Sequence, residues 1–261
     1  MAKIILDPGH GGRDNGDYYE SRSEKNDNLL LILRVGRFLE AQGIEVVYTR
    51  KTDAYLANKE RIALINESGA DLMISLHHLS GGSYGYSLEF FIKENDLIAR
   101  GTAVAIEKEL YPVGYTTYKI TANTDLPLLN EVSIPALMIG IRYLGADREN
   151  VFYDLNFLPI AEAIARGILE YLTLNTDNKS DLILKPMSAC YCYRVMVGRY
   201  RFYDEAAWEQ MILRNLDISA EMEYRRRRYD LYVGLTNQLD EAVLLEGKLR
   251  RLGYSTVISI V

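Results

Sequence analysis

Histidine and glutamate side chains near the amino terminus and near residue 77 could together hold a metal ion. The chain has three histidines, His10, His77 and His78. His10 stands in the loop Asp7-Pro8-Gly9-His10-Gly11-Gly12, and Glu24 stands just before a long amphipathic segment. Two imidazoles and one carboxylate form the ligand set of a catalytic zinc site with one open position. These ligands suit zinc better than magnesium or calcium.

Each of these residues also has a purely structural interpretation. A single histidine in a glycine-rich loop is more often structural, and a glutamate at the start of a helix is stabilised by the helix dipole. Adjacent side chains on a strand face opposite ways, so only one of His77 and His78 can reach a shared metal. The metal hypothesis therefore depends on the fold bringing distant segments together.

The first 173 residues alternate short apolar runs with amphipathic stretches. Strands are predicted at Lys3–Leu6, Glu45–Tyr48, Asp71–Leu76, Leu88–Ile92 and Ala136–Ile139. Helices are predicted at Asn28–Ala41, Lys59–Asn66, Leu97–Leu110 and Leu158–Leu172. This alternation is typical of an α/β domain with a twisted, mainly parallel sheet flanked by helices. Ligands bind beyond the carboxyl ends of such strands, and all three histidines are expected at strand ends.

An internal repeat marks a second domain at the carboxyl terminus. Tyr193, Val197 and Gly198 recur as Tyr229, Val233 and Gly234, an offset of 36 residues that Asp204-Glu205-Ala206 and Asp240-Glu241-Ala242 also obey. Each copy predicts a strand, a turn and a helix, and further strands near Glu221–Tyr224 and Thr256–Ile260 complete a small α+β ferredoxin-like duplication. The predicted organisation is a domain at 1–173, a linker at 174–189 and a domain at 190–261.

Composition excludes several classes of protein. The 261 residues carry a net charge of -6, and 48% are hydrophobic, an ordinary globular balance that argues against disorder. The net acidity argues against nucleic-acid binding. No apolar run approaches the ~18 residues of a membrane helix, so no membrane insertion is expected. Asp7 interrupts the first apolar run, which is not typical of a secretion signal. Cys190 and Cys192 are expected to be reduced thiols.

The motifs of the first domain resemble those of the zinc N-acetylmuramoyl-L-alanine amidases, which cleave between the muramic lactyl group and L-alanine of peptidoglycan. The resemblance covers roughly residues 2–173. Beyond the histidine loop it rests on Glu24-Lys25-Asn26, Tyr48-Thr49-Arg50-x-x-Asp53, Arg61, Asn66, Ala70-Asp71 and Ser75-Leu76-His77. It implies that His10, Glu24 and His77 bind Zn²⁺ and that His78 does not.

The resemblance breaks at the position of the general base. The family carries a glutamate where this chain has Gly140, a glycine where it has Arg142, and an asparagine where it has Leu79. Loss of a general base typically costs ~10²–10⁴ in rate. Glu131, Glu89 and His78 are candidate replacements. Arg142 could stabilise an oxyanion or bind a substrate carboxylate, or it could pair with Asp147 or Glu149.

The duplicated domain resembles the SPOR module, which binds peptidoglycan strands that lack stem peptides. Tyr193 and Tyr229 are candidate sugar-stacking residues, although both are also natural sheet-core residues. A generic ferredoxin-like module is the alternative. The basic run at residues 225–228 fits a solvated turn better than a ligand patch. The domain combination resembles the mother-cell lytic amidases of spore formers, which implies a cytoplasmic protein that acts on the wall after lysis. A phage lysin would look similar.

Two functional hypotheses follow. The first is an active zinc amidase that cleaves muramoyl peptides, with a substitute for the missing base. The second is a catalytically silent relative that binds peptidoglycan through the same cleft. The complete ligand set favours retained zinc binding, whereas Gly140 weighs against turnover.

Overall fold

The computed structural model describes residues 2–19, 22–80, 87–122, 125–144, 147–175, 193–225, 227–236 and 238–260. The chain divides into two units, one formed by residues 1–19 and 23–188 and the other by residues 20–22 and 189–261. No helix among the described residues has both the length and the apolar character needed to cross a bilayer.

A six-stranded sheet forms the centre of the first unit. The strands up to residue 144 are β1 (Lys3–Pro8), β2 (Tyr18–Tyr19), β3 (Arg22–Ser23), β4 (Glu45–Tyr48), β5 (Leu72–Ser80), β6 (Ser87–Ile92), β7 (Thr117–Ala122) and β8 (Ala136–Leu144). The main sheet has the order β4-β1-β5-β8-β6-β7, and β2 pairs with β3 separately. All neighbours in the main sheet are parallel except β6 and β8.

Helices flank this sheet, as the hydrophobic periodicity predicts. They are α1 (Glu24–Ala41), α2 (Asn58–Glu67), α3 (Leu97–Leu110), α4 (Pro127–Glu131), α5 (Asp147–Leu155) and α6 (Phe157–Asn175). α6 packs against both α1 and α3, and α2 packs against α4. Ile5, Met73 and Ala136 of the sheet form a core with Ile65 of α2 and Leu129 of α4. The predicted α/β class with a mainly parallel sheet is confirmed.

Two strands run further than their apolar segments, which corrects one prediction. β5 continues through His77 and His78 to Ser80, so these histidines lie inside the strand and not beyond its end. β8 likewise continues through Gly140 to Leu144. The cause is mutual pairing, because the register of β5 on β8 is regular from Met73 to Leu79. Hydrogen bonding between β5 and β8 therefore extends both strands beyond the ends of their apolar segments.

The second unit has the ferredoxin-like topology that the repeat predicts. Its elements are β9 (Tyr193–Tyr200), α7 (Tyr203–Asn215), β10 (Ala220–Arg225), β11 (Arg228–Thr236), α8 (Leu239–Arg251) and β12 (Val257–Ile260). The sheet order is β10-β11-β9-β12, and every pair is antiparallel. The basic run of residues 225–228 joins β10 to β11, and residue 226 is not described.

The repeated residues are mainly core positions. Ala206, Leu213 and their counterparts Ala242 and Leu249 are all at most 1% exposed. The repeat thus records two copies of one packing unit. Residues 176–192 lie outside the described part of the chain, and they include Cys190, Tyr191, Cys192 and most of the predicted linker.

Candidate metal centre

Three elements bring His10, Glu24 and His77 together. His10 follows β1 by two residues, Glu24 is the first residue of α1, and His77 lies in β5 beside β1. One ligand atom from each residue lies within 4.8 Å of the other two. The three residues are far apart in the sequence, and the parallel pairing of β1 with β5 brings the histidine loop close to His77 in space. The structure therefore assembles the three residues that the family resemblance names.

The distances within this cluster fit a tetrahedral zinc ion. Glu24 Oε1 lies 3.2 Å from His10 Nε2 and 2.9 Å from His77 Nδ1. Ligand atoms at ~2.0–2.2 Å from a tetrahedral ion are about 3.3–3.6 Å apart. Small movements of the two rings would admit the ion, and the donor chemistry of two imidazoles and a carboxylate suits zinc.

Neighbouring groups orient two of the three side chains, those of His10 and Glu24. His10 Nδ1 lies 2.9 Å from Asp14 Oδ2, so Nε2 is left for the metal. The N–H of Asp17 donates to Glu24 Oε2 at 2.9 Å, and the amide of Asn28 donates to Glu24 Oε1 at 3.3 Å. A carboxylate behind a metal-ligating histidine is a recurrent feature of zinc sites and fixes the ring orientation.

Glu24 is held in the ionised form that a metal ligand needs. It is 4% exposed. Burial raises the pKa of Glu24, but the hydrogen bonds and charges of His10 and His77 outweigh burial, and the net pKa is lowered. The start of α1 adds the favourable field of a helix amino terminus.

His78 faces away from this cluster. Its Nδ1 lies 2.5 Å from Asn28 Oδ1, and its ring meets Tyr153 edge-on at a centroid distance of 5.2 Å. His78 is 1% exposed, and its backbone N–H donates to Glu24 Oε1. This buried position supports the expectation that only one histidine of the pair reaches the metal. It also argues against His78 as the general base.

A buried ion pair between Asp7 and Arg61 supports the histidine loop. Asp7 is 0% exposed and receives hydrogen bonds from Arg61 at 2.6 Å, Thr49 at 2.6 Å and Ser75 at 2.8 Å. Arg61 also donates to the carbonyl of His10 at 2.5 Å. His10 has φ = 62°, a strained value for a residue other than glycine. Arg61 therefore holds His10 in an unfavourable backbone conformation.

Replacing Asp7 by asparagine is expected to destabilise the first unit by about 3–5 kcal/mol, because Arg61 is then buried without its charged partner. Burial raises the pKa of Asp7, but the charge of Arg61 and the three hydrogen bonds outweigh it and lower the pKa below 3.8. The stabilisation is therefore complete above about pH 4 and is lost as the pH falls through the lowered pKa. Urea unfolding at pH 7 and pH 3 checks both statements.

The matched control for this prediction is Glu170→Gln. Glu170 pairs with Lys108 at 2.7 Å on the surface, and surface pairs of this kind add little to stability. Equal losses of stability in the two variants would contradict the assigned role of Asp7.

The position of the expected general base lies in a row across the sheet with His77. Gly140 of β8 pairs with His77 on one side and with Glu89 of β6 on the other. Paired residues in a sheet share a face, so a side chain at residue 140 would project beside His77. A Cβ built on Gly140 would lie 2.6 Å from Cδ1 and 2.9 Å from Cγ of Leu79. The Leu79 side chain thus covers the space that a glutamate at residue 140 would need.

The candidate replacements for the base lie in different places. Glu89 shares the face of His77, and its carboxylate accepts from Thr121 at 3.1 Å and from Lys119 at 3.3 Å. Glu131 is the last residue of α4, five residues before the start of β8. Gly140 lies ~13 Å along β8 from the start of that strand, at ~3.3 Å per residue. The side chains of Arg142, Asp147 and Glu149 lie outside the described residues, so the alternative roles of Arg142 stay predictions.

The fold and the cluster define an α/β protein with a His-Glu-His cluster that could hold a metal ion, at the carboxyl end of its central strands. The chain belongs to the N-acetylmuramoyl-L-alanine amidase family, whose model matches residues 4–170. It is therefore an amidase, a hydrolase of amide bonds.

Individual relatives agree with this assignment. The germination-specific N-acetylmuramoyl-L-alanine amidase of Bacillus subtilis is 29% identical, over 67% of this chain and 81% of that protein. The sporulation-specific N-acetylmuramoyl-L-alanine amidase of the same organism is 26% identical, over 77% of this chain and 76% of that protein. The solved CwlD amidase of Clostridioides difficile is 27% identical with a TM-score of 0.62, over 67% of this chain and 100% of that chain.

Proposed function

We propose that the protein uses zinc to hydrolyse the amide bond between N-acetylmuramic acid and L-alanine in peptidoglycan. The observation that carries the proposal is the convergence of His10 Nε2, Glu24 Oε1 and His77 Nδ1 in a chain of this family. The open ligand position that such a site leaves suits hydrolysis better than a structural role.

The three ligands, when loaded, would hold an ion that polarises an amide carbonyl and acidifies water. His10, Glu24 and His77 would share that ion. Asp14 keeps the proton on His10 Nδ1 and leaves Nε2 as the donor atom. Arg61 and Arg50 keep the loop in place through the carbonyls of Pro8, Gly9 and His10. A preorganised site of this kind spends little binding energy on rearrangement.

Glu89 is our proposal for the group that handles the proton in place of a glutamate at residue 140. Among the candidate carboxylates it is the one on the face of His77, two strands away at ~4.8 Å per strand. Its side chain is 18% exposed, and a chain of water molecules would carry the proton across the two strands.

Glu89→Gln is therefore expected to lower kcat by about 10²-fold or more while zinc content stays at one ion per chain. Peptidoglycan turnover and zinc analysis on the same preparation check this. The matched control is Glu94→Gln, an exposed carboxylate two residues beyond β6, which is expected to leave kcat unchanged. Full activity in Glu89→Gln would show that Glu89 only ties β6 to β7.

For the second unit we propose a SPOR-like role in holding glycan strands. Its ferredoxin-like sheet and its two-fold repeat support this. Tyr229 is half-buried between the rings of Tyr203 and Tyr224, at centroid distances of 5.7 and 4.8 Å. Tyr193 is 1% exposed, so its burial favours the core role that the sequence left open.

The names of the Bacillus subtilis relatives support a setting in a spore-forming cell. Release at lysis of the mother cell, from an interior location, stays a prediction that cell fractionation during sporulation tests.

The decisive assay is hydrolysis of purified peptidoglycan by the zinc-loaded full chain, followed as new L-alanine amino termini. Release is expected, and it is expected to stop on chelation and in His10→Ala. If no release exceeds the metal-free control while the protein still pellets with peptidoglycan, the protein is a binding relative that does not perform the reaction.

A further inference from the structure

A turn next to the metal centre presents one exposed cation. Arg13 is the one lysine or arginine among residues 9–17. It lies in the turn closed by two hydrogen bonds between the backbones of Gly11 and Asp14, at 2.9 and 3.1 Å. The residue before this turn is His10, and Asp14 contacts the His10 ring. Arg13 is therefore fixed to the same short segment as a metal ligand.

The backbone of this turn is held on both sides. The N–H of Gly12 donates to Asp53 at 2.7 Å, and its carbonyl accepts from Lys25 at 2.6 Å. Lys25 and Asp53 also pair with each other at 3.1 Å. A Cβ on Gly12, where φ is 58°, would lie 2.7 Å from the backbone nitrogen of Tyr55. Glycine at this position therefore allows Tyr55 to pack directly against the turn.

This packing places an aromatic ring under the exposed cation. The Arg13 guanidinium carbon lies 4.2 Å from the centroid of the Tyr55 ring, and both residues are exposed. A cation–π contact leaves the edge of the guanidinium available to a planar anion. The contact also reduces the side-chain freedom that Arg13 would lose on binding.

We propose that Arg13, stacked on Tyr55, binds a carboxylate of the stem peptide and so makes this amidase prefer muramoyl peptides with a free acid near the cleaved bond. The inference rests on the proposed function and names a specificity-determining residue for it. An extended peptide advances ~3.3–3.6 Å per residue. The residue after L-alanine therefore lies within a few ångströms of the bond being cleaved, and a guanidinium pairs with its carboxylate through two parallel hydrogen bonds.

The test compares two product dipeptides that differ in one group, L-alanyl-D-glutamate and its amide L-alanyl-D-isoglutamine. Binding to the zinc-loaded full chain is measured by NMR titration at low salt. The wild type is expected to bind the acid about tenfold more tightly than the amide. Arg13→Gln is expected to abolish this preference and Tyr55→Leu to weaken it, with zinc content unchanged. In hydrolysis of the matching muramoyl dipeptides, Arg13→Gln is expected to raise KM for the acid more than it lowers kcat.

The matched control is Arg201→Gln, because Arg201 is also an exposed arginine over an aromatic ring, Phe202 at 5.4 Å, in the second unit. It is expected to leave the preference intact. An unchanged preference in Arg13→Gln, or no preference in the wild type, would overturn the inference. An acid preference without any hydrolysis would overturn the proposed function and leave the role of Arg13 standing, so the two failures are distinguishable.

Discussion

Replacing Glu24 by glutamine is expected to remove zinc from the protein and to reduce amidase activity to less than about a thousandth. Glu24 Oε1 is the atom that both imidazoles approach, at 3.2 Å and 2.9 Å. Glutamine keeps the size of the side chain but loses the charge, and its NH2 group cannot ligate a cation. Loss of the ion removes several kcal/mol of transition-state stabilisation, at 1.36 kcal/mol per tenfold in rate.

Three neighbouring donors sharpen this expectation. The N–H groups of Asp17 and His78 and the amide of Asn28 all point at the Glu24 carboxylate. A glutamine in that position must turn its NH2 group toward at least one of these donors, which leaves a buried polar group unsatisfied at a cost of about 1–3 kcal/mol. Glu24→Gln is therefore expected to lower stability as well as metal affinity.

Zinc per chain after dialysis, amidase activity and urea unfolding are the measurements for Glu24→Gln. Glu67→Gln is the matched control, since Glu67 is an exposed glutamate at the end of α2 and its replacement is expected to change none of the three. Retention of one zinc ion and of activity in Glu24→Gln would place the metal elsewhere. Less than about half an ion per chain in the wild type would make a functional zinc site untenable.

Hydrophobic patterning predicted the central elements well because those elements bury apolar residues. Ile4 and Ile5 of β1 are fully buried, and half-buried Val47 of β4 packs against the core. Each lies in an apolar run that the sequence shows. β7 was not predicted, since this edge strand is exposed over its first three residues and reads as polar. Hydrophobic patterning ends β5 and β8 too early for a related reason, because the pairing of the two strands continues through histidine and glycine.

The residue types suggest His10, Glu24 and His77 as metal ligands, which stays a prediction, and the network that supports these residues depends on the fold. Arg61 and Asp7 are 54 residues apart, and their contact depends on how α2 packs beside β1. The family resemblance includes Arg61 and Thr49, but no rule of sequence spacing predicts that both of them donate hydrogen bonds to Asp7. A long-range ion pair leaves no local periodicity. The cover of Leu79 over Gly140 depends likewise on the register of β5 against β8.

Because the Leu79 side chain covers Gly140, glutamate at residue 140 is expected to act as a general base only when Leu79 is also replaced. In Gly140→Glu the new Cβ would lie 2.6 Å from Leu79 Cδ1 and 3.2 Å from the carbonyl of Glu89. Forcing a side chain into an occupied space typically costs 1–3 kcal/mol. The single variant is therefore expected to be less stable and to gain little activity.

The double variant Leu79→Asn/Gly140→Glu is expected to raise kcat by about 10²-fold. Asparagine has the same branched skeleton as leucine, but its amide is planar, polar and smaller in volume than two methyl groups, and it is the residue of the resembled family at that position. Its polar amide is expected to turn toward solvent and leave the space over residue 140, and the row from His77 to Gly140 then puts the new carboxylate beside His77. A positioned general base contributes 10²–10⁴ in rate, and the low end applies where Glu89 already moves the proton. The gain is expected to persist when Glu89 is also replaced by glutamine.

The matched control is Leu79→Asn/Gly140→Gln, which reproduces the shape of the double variant without a base. Turnover of purified peptidoglycan, zinc content and urea unfolding are measured on both proteins. Equal rates for the glutamate and glutamine versions would refute the idea that residue 140 is the vacant base position. If the wild type is inactive and the glutamate version is active, the metal centre is competent and the missing carboxylate alone silences it. That result would separate loss of the base from loss of the zinc site, because both proteins would carry the same ion.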